Sequence, residues 1–324
     1  MRVVPRRDPH PPALAGRPLP AARARGGVYR GERLVPLLML APAVLILLAL
    51  VIGPLIFLVE TALHRQNLFQ VTPPRYVGLD NFWYLLVSTK FQTALWQMAV
   101  FTLVALGAEF GLGFLLAALV FRLRDLPGMA VVRTVLTSPI LVAPIVAAVM
   151  WRFMYQPDFG VINYLLGQLG LPRPGWLSDL SLAIFSIAAI DVWQWTPFVF
   201  LVVLAGMHAL PRQLYEAAEL DATSLLRQVI FITIPLLKRV LVIVLLLRLI
   251  DLLRAFEVIV ATTQGGPGDA SYTLPVLIWE TAFVNFQLGD AAAASIVLLV
   301  IVSILITLLV RAISRSGVVG RTGP

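Results

Sequence analysis

Long apolar runs, separated by shorter polar segments marked by Gly and Pro, dominate the pattern along this chain. An α-helix needs about 20 consecutive apolar residues to cross a bilayer. By that measure six spans are predicted, at about residues 34–59, 93–121, 131–154, 182–207, 240–262 and 288–310. The first carries Pro36, Pro42 and Pro54, which membrane helices tolerate where neighbouring groups re-satisfy the backbone. The second holds Glu109 among Gly107, Gly111 and Gly113, glycines that let helices approach closely. Glu109 is expected to make a buried contact between helices. Residues 60–92 read as a first outer loop, 155–181 as an outer loop with a short re-entrant or surface helix, and 262–268 as an outer turn.

The segment 212–237 is different in kind, being charged as well as periodic. Leu214, Ala217, Ala218, Leu220 and Asp221 open a helical repeat. After the small residues Ala222, Thr223 and Ser224, a second repeat runs through Leu225, Leu226, Val229, Ile230 and Ile232. Pro235 is expected to stop it. On pattern alone the segment reads either as a docking element or as an amphipathic helix lying on the membrane surface.

Composition excludes most other classes. With 59% hydrophobic and 13% charged residues over 324 positions, the chain is too apolar for a water-soluble globule and reads as an all-α integral membrane protein. The net charge of +8 does not form a nucleic-acid surface. Its arginines flank the spans, as topology determinants do, and sorting Lys and Arg by the six-span pattern places both termini inside. The arm 1–33 reads as a disordered, basic cytoplasmic segment rather than a signal peptide, because its apolar continuation lacks a clear cleavage site; residues 311–324 read as a cytoplasmic tail. Cysteine is absent, which rules out disulfides, thiolate metal sites and cysteine catalysis. The two lysines, Lys90 and Lys238, follow Thr89 and Leu237, so no Gly-Lys phosphate-binding loop exists. His10, His64 and His208 have no metal-ligand spacing, and neither HExxH nor GxSxG occurs. No enzymatic or metal chemistry is expected.

The ordered set Glu216-Ala217-Ala218, Asp221-Ala222 and Pro235 resembles the signature loop of permease subunits of binding-protein-dependent ABC importers, with Ala222 standing where that family usually has Gly. The segments GLDNF at 78–82, FGVIN at 159–163 and GWLSD at 175–179 resemble its sugar-type branch, related to the maltose, trehalose and glycerol-phosphate importers. The resemblance covers residues 34 to 311. It implies a type I importer permease fold of six transmembrane helices with a cytoplasmic coupling helix, in a bacterial or archaeal plasma membrane. It further implies a second, different permease subunit, an ATPase dimer that binds ATP and Mg and receives the coupling helix, and an extracytoplasmic solute-binding protein. Contact with membrane lipid is implied, no partner is nucleic acid, and no cofactor is bound by this chain.

Polar and aromatic groups at membrane depth are the candidates for a solute path. On the fourth span Trp193 and Trp195 offer stacking faces for sugar rings, and Asp191 and Gln194 offer hydrogen bonds. The competing reading makes the aromatic residues interfacial anchors and Asp191 a structural partner of another span. On the fifth span Arg248, Asp251, Arg254 and Glu257 step by three residues, so successive members meet on a helix surface. Each step drifts by about 60°, so they cannot line one stripe. The series is expected to be a charge-compensating ladder with Asp251 central, Asp251 and Glu257 being further path candidates. The rival function is an ion-gradient-driven transporter using Glu109, Asp191, Asp251 and Glu257 as relays, or a purely structural membrane subunit. Neither accounts for the signature loop.

Overall fold

The computed structural model describes residues 30–69, 73–220 and 224–315. Most of the basic arm, the end of the tail, and Asp221 and Ala222 of the signature loop lie outside the described residues. The described chain divides into two units, one ending at Pro54 and one beginning at Leu55. The first is the opening stretch of helix α1 (Arg30–Ala62), whose Leu, Ile and Val side chains from Met39 onward are exposed. A helix so apolar, with all its backbone bonds internal, is suited to lipid rather than water.

In the second unit the end of α1 leads to a short antiparallel pair, β1 (His64–Arg65) with β2 (Arg75–Tyr76), and then to α2 (Asp80–Val87) and α3 (Thr89–Arg122). Ser88 starts α3 by accepting the Phe91 amide on its side chain, which satisfies one of the free N–H groups of the first turn. The chain continues through α4 (Met129–Thr137), α5 (Pro144–Met154), α6 (Val161–Gln168), α7 (Ala183–Ala209), α8 (Arg212–Leu220), α9 (Leu225–Gln228), α10 (Ile234–Leu253), α11 (Glu257–Thr262), α12 (Leu274–Trp279) and α13 (Leu288–Arg315). Among the described residues, five helical stretches are long and apolar enough to cross a membrane, or six if α4 and α5 together make one.

Three sequence expectations fail here. The span expected at 131–154 is not one helix. A 3-10 turn at Ser138–Leu141 follows α4, and α5 then leaves at 99°. Pro139 and Pro144 each lack an N–H and cannot continue the preceding helix, so each begins a new one. Nor does Pro235 stop the helix before it. A π turn at Val229–Thr233 joins α9 to α10, with the Ile234 amide reaching back to the Val229 carbonyl, and Pro235 then occupies the first turn of α10. The span expected at 240–262 ends instead at Leu253. Arg254 closes α10 by donating its amide to the Asp251 carbonyl, and α11 starts afresh at Glu257. No Gly or Pro lies in this break. Tertiary contact sets it: α11 packs against α5, and Arg152 Nη1 donates to the Ala261 carbonyl at 3.2 Å.

The core follows the seam between α3 and α7. One cluster contains Phe101, Ala105, Ile187 and Ile190 with Leu252 and Ile259; a second contains Ala117, Phe121, Val199, Phe200 and Val203 with Leu237 and Val244. Gly113 sets the closest approach. A Cβ there would lie 2.7 Å from Val199 Cγ1 and 3.2 Å from the Phe200 amide nitrogen. Gly111, two residues away, would meet nothing within 4 Å. The prediction is a sign difference between two identical substitutions. Gly113→Ala should destabilise by ~1–3 kcal/mol through overpacking, whereas Gly111→Ala should be neutral or stabilise by up to ~1 kcal/mol through helix propensity. Half-inactivation temperatures of the purified variants in detergent check this, and equal shifts for both would contradict the seam.

Candidate functional site

Three helices meet at a buried ion cluster. Glu109 on α3 and Arg248 on α10 are 0% and 1% exposed. The guanidinium holds the carboxylate with two parallel bonds, Nε to Oε2 at 2.7 Å and Nη2 to Oε1 at 2.6 Å. Nη2 also donates to Asp191 Oδ2 on α7 at 2.6 Å. The Trp195 ring faces the guanidinium, 4.8 Å from its carbon, a geometry in which the π face stabilises the cation. Arg248 lies about 15 Å along α10 from Lys238, deep in an apolar helix where an unpaired charge is costly. The two carboxylates answer that cost with charge-assisted, partly bidentate bonds, the strong kind.

Beside the cluster opens a cavity of about 270 Å³, lined by Asp191, Gln194, Trp195, Arg248, Asp251, Arg254 and Glu257 together with Pro144 and Phe256. Local helix geometry explains the grouping. Asp191 and Trp195 are four apart on α7 and share a face, while the break after Leu253 turns Arg254 to Glu257 back over the same space. Gln194 closes one wall by donating its Nε2 to the Val142 carbonyl at 2.6 Å. That carbonyl lies just ahead of α5, where the bend leaves backbone groups without helical partners.

The structure brings most of the expected path residues together and reassigns several. Of the ladder of Arg248, Asp251, Arg254 and Glu257 only the first step is present, a long i,i+3 ion pair between Arg248 and Asp251. Asp251 is not its centre: its carboxylate lies 3.8 Å from Arg248 Nη1, beyond hydrogen-bond distance, and its side chain is 56% exposed. Arg248 spends its strong bonds on Glu109 and Asp191, because buried partners on other helices answer a buried cation better than a hydrated neighbour does. Arg254 caps α10 and Glu257 starts another helix, so neither continues the same surface. Trp193 does not line the cavity. Two residues from Trp195, it faces another way and stacks edge-on against Trp151 of α5 at 5.7 Å. Missing from the sequence expectation were the pairing of Glu109 with Arg248, and Pro144 and Phe256 as cavity walls. One signal pointed to the pairing: Glu109 and Asp191 are each a charge isolated inside an apolar run.

The cavity offers an aromatic face, three carboxylates as acceptors and the Arg254 guanidinium, which makes no ion pair among the described residues. Such a set suits a polyhydroxylated solute, whose hydroxyls donate to carboxylates and whose C–H faces lie against indole.

A second feature is α8. Tyr215 and Ala218 are buried, three residues apart on its inner side, and Gln213, Leu214, Glu216 and Leu220 are exposed. On α8 Leu220 is 88% exposed, as is the neighbouring surface of Leu214 and Glu216, whereas Leu226 and Phe231, 69% and 73% exposed, belong to the apolar stretch Leu226–Leu253 that is long enough to cross a membrane. The Tyr215 ring lies 4.9 Å from that of Phe121, and its hydroxyl is 3.1 Å from Thr233 Oγ1. Burial pushes the Tyr215 phenol above its usual range, against the opposing effect of the Thr233 hydrogen bond, so it stays protonated. Of the remaining signature residues, Ala217 lies on α8 and Pro235 in the first turn of α10.

Residues 109–318 match the family described as binding-protein-dependent transport system inner membrane component. The chain is 37% identical over 258 residues to the trehalose/maltose transport system permease protein MalF of Thermococcus litoralis, covering 80% of this chain and 85% of that one. It is 28% identical to the trehalose transport system permease protein SugA of Mycobacterium tuberculosis, with 90% and 92% covered. It is 30% identical to the sn-glycerol-3-phosphate transport system permease protein UgpA of Agrobacterium fabrum, with 84% and 92% covered. Among solved structures, a bacterial ABC transporter involved in import of the acidic polysaccharide alginate has the same fold, with a TM-score of 0.75 at 22% identity over 88% of this chain and 96% of that one.

The ion cluster generates a prediction about sets of residues rather than single ones. Arg248→Met alone leaves two carboxylates buried without their cation and should cost ~3–5 kcal/mol, seen as loss of membrane abundance and of thermal resistance in detergent. Adding Glu109→Gln and Asp191→Asn should recover abundance, because amides of the same shape need no counter-charge. Asp251→Asn should leave abundance at the parental level. Normal abundance of the Arg248→Met single variant would refute the cluster.

Proposed function

Because the chain belongs to the family of binding-protein-dependent transport system inner membrane components, we propose that it forms one half of the path through which an ATP-driven importer moves a carbohydrate, polyol or glycerol-phosphate solute. The chain is a multi-pass membrane permease, a transport component rather than an enzyme. The observation that carries the solute reading is the polar cavity beside Arg248, where Asp191, Trp195, Asp251, Arg254 and Glu257 converge. Relatives whose names specify trehalose, maltose or glycerol phosphate support the same class.

In this reading a second, different permease completes the path, a solute-binding protein delivers the solute on the α6 side, and an ATPase dimer supplies ATP and Mg from the α8 side. A solved importer of this fold in complex with an alginate pentasaccharide-bound periplasmic protein supports the delivery step. The termini are assigned to the cytoplasm. That assignment agrees with Arg122 at the end of α3 and with Arg124 and Arg133, which follow it before the bend. Glu216, with Ala217, Ala218, Asp221, Ala222 and Pro235, forms the coupling segment. On α8 the exposed Leu214, Glu216 and Leu220 set apolar and charged groups on one short helix, a mixture that suits a protein interface.

Glu216→Ala removes an exposed carboxylate without disturbing the buried side of α8. Uptake by vesicles should fall by about tenfold, the equivalent of ~1.4 kcal/mol of docking free energy. Less ATPase should co-purify, with permease abundance unchanged. Uptake by the parental complex that proceeds without ATP and follows an imposed ion gradient would establish the rival transporter class.

A further inference from the structure

We propose that the hydroxyl pair of Tyr215 and Thr233 is the positioning contact that makes α10 move with α8, and so carries a nucleotide-driven displacement of the docking helix to the cavity. The inference rests on α8 being the segment that receives the ATPase. Tyr215 immediately precedes Glu216 but lies on the opposite side of the helix, 6% exposed where Glu216 is exposed. Its ring is fixed against Phe121 near the end of α3. Its hydroxyl shares a hydrogen bond of 3.1 Å with Thr233 Oγ1, either oxygen being able to donate, and Thr233 Oγ1 also lies 3.4 Å from the Gln228 carbonyl.

Thr233 is fully buried and is the last residue of the π turn. A π turn holds one residue more than an α turn and often marks a functional position. The Tyr215 hydroxyl is thus tied at the widened turn that connects α9 to α10. From there α10 runs unbroken to Leu253, and Arg248 stands about 21 Å beyond Ile234 at helical rise. A stiff helix pinned at one end to α8 and at the other to Glu109 and Asp191 is a contiguous physical link between the two sites. Without the hydroxyl pair, the two helices would keep apolar contact through the Tyr215 ring but could slide.

Two variants remove the link and keep the shape. Tyr215→Phe retains the ring, and Thr233→Val retains the volume. Thr233→Ser, which restores a hydroxyl, serves as the rescue. The natural absence of cysteine permits a clean reporter, Ala255→Cys in the cavity wall. Its rate of reaction with N-ethylmaleimide is measured in the reconstituted complete complex, with and without a non-hydrolysable ATP analogue. In the parental background nucleotide should change the rate by about fivefold or more, as expected when a conformational step gates a site. Tyr215→Phe and Thr233→Val should abolish that change while the ATPase still co-purifies and hydrolyses ATP, and Thr233→Ser should preserve it. A full nucleotide response in both hydroxyl-deleting variants overturns the inference. So does loss of ATPase binding in those variants, which would make the pair a mere support for docking. If the parental complex binds no ATPase, the docking assignment fails first, and the inference with it.

Discussion

A guanidinium buried in an apolar membrane helix has to be neutralised by groups that are themselves buried, and this requirement organises the bundle. Arg248 meets it with Glu109 and Asp191, which lie 139 and 57 residues away in the chain. Because Nε and Nη2 bind the two oxygens of Glu109 in a fixed plane, the contact fixes the rotation of α10 about its axis as well as its depth. The rotation in turn decides what else faces inward. With Arg248 turned toward α3 and α7, the following residues reach the rim of the cavity, and Trp195 lies across the cation. Close packing at Gly113 keeps the two carboxylate-bearing helices at the spacing that one arginine can bridge.

Much of this fold was legible in the chain, and what was not has identifiable causes. Apolar runs near 20 residues became helices because the backbone has no other way to satisfy itself in lipid. The bend at residues 138–144 was hidden by prolines that membrane helices also tolerate, so the same residue supports a straight reading and a broken one. The break after Leu253 carries no Gly or Pro and is imposed by α11 packing on α5, information that no local window contains. For the cavity, Asp191 and Trp195 stood out as polar or amphipathic residues in an apolar run. That Trp193 would turn away also follows from helical geometry, since residues two apart do not share a face. The partners of Arg248 were only partly legible by proximity: the nearby acid Asp251 does pair with it, at 3.8 Å, but the short bonds go to buried acids on other helices.

The end of the bundle that carries α8 obeys a different logic. There Leu214, Glu216 and Leu220 of α8 are exposed while Tyr215 and Thr233 are buried and bonded to each other. The exposed side of α8 suits an occupant that comes from another chain, and the buried hydroxyls suit a joint inside this one. Pro235, expected to end a helix, instead sits just after the π turn, where the irregular turn accommodates a residue with no N–H to give.

The order of the ion cluster along the chain also bears on how the protein is made. Both carboxylates precede the arginine, on helices completed well before α10 leaves the ribosome. The anions must therefore wait in the bilayer, as neutral acids or close to water, until the cation arrives.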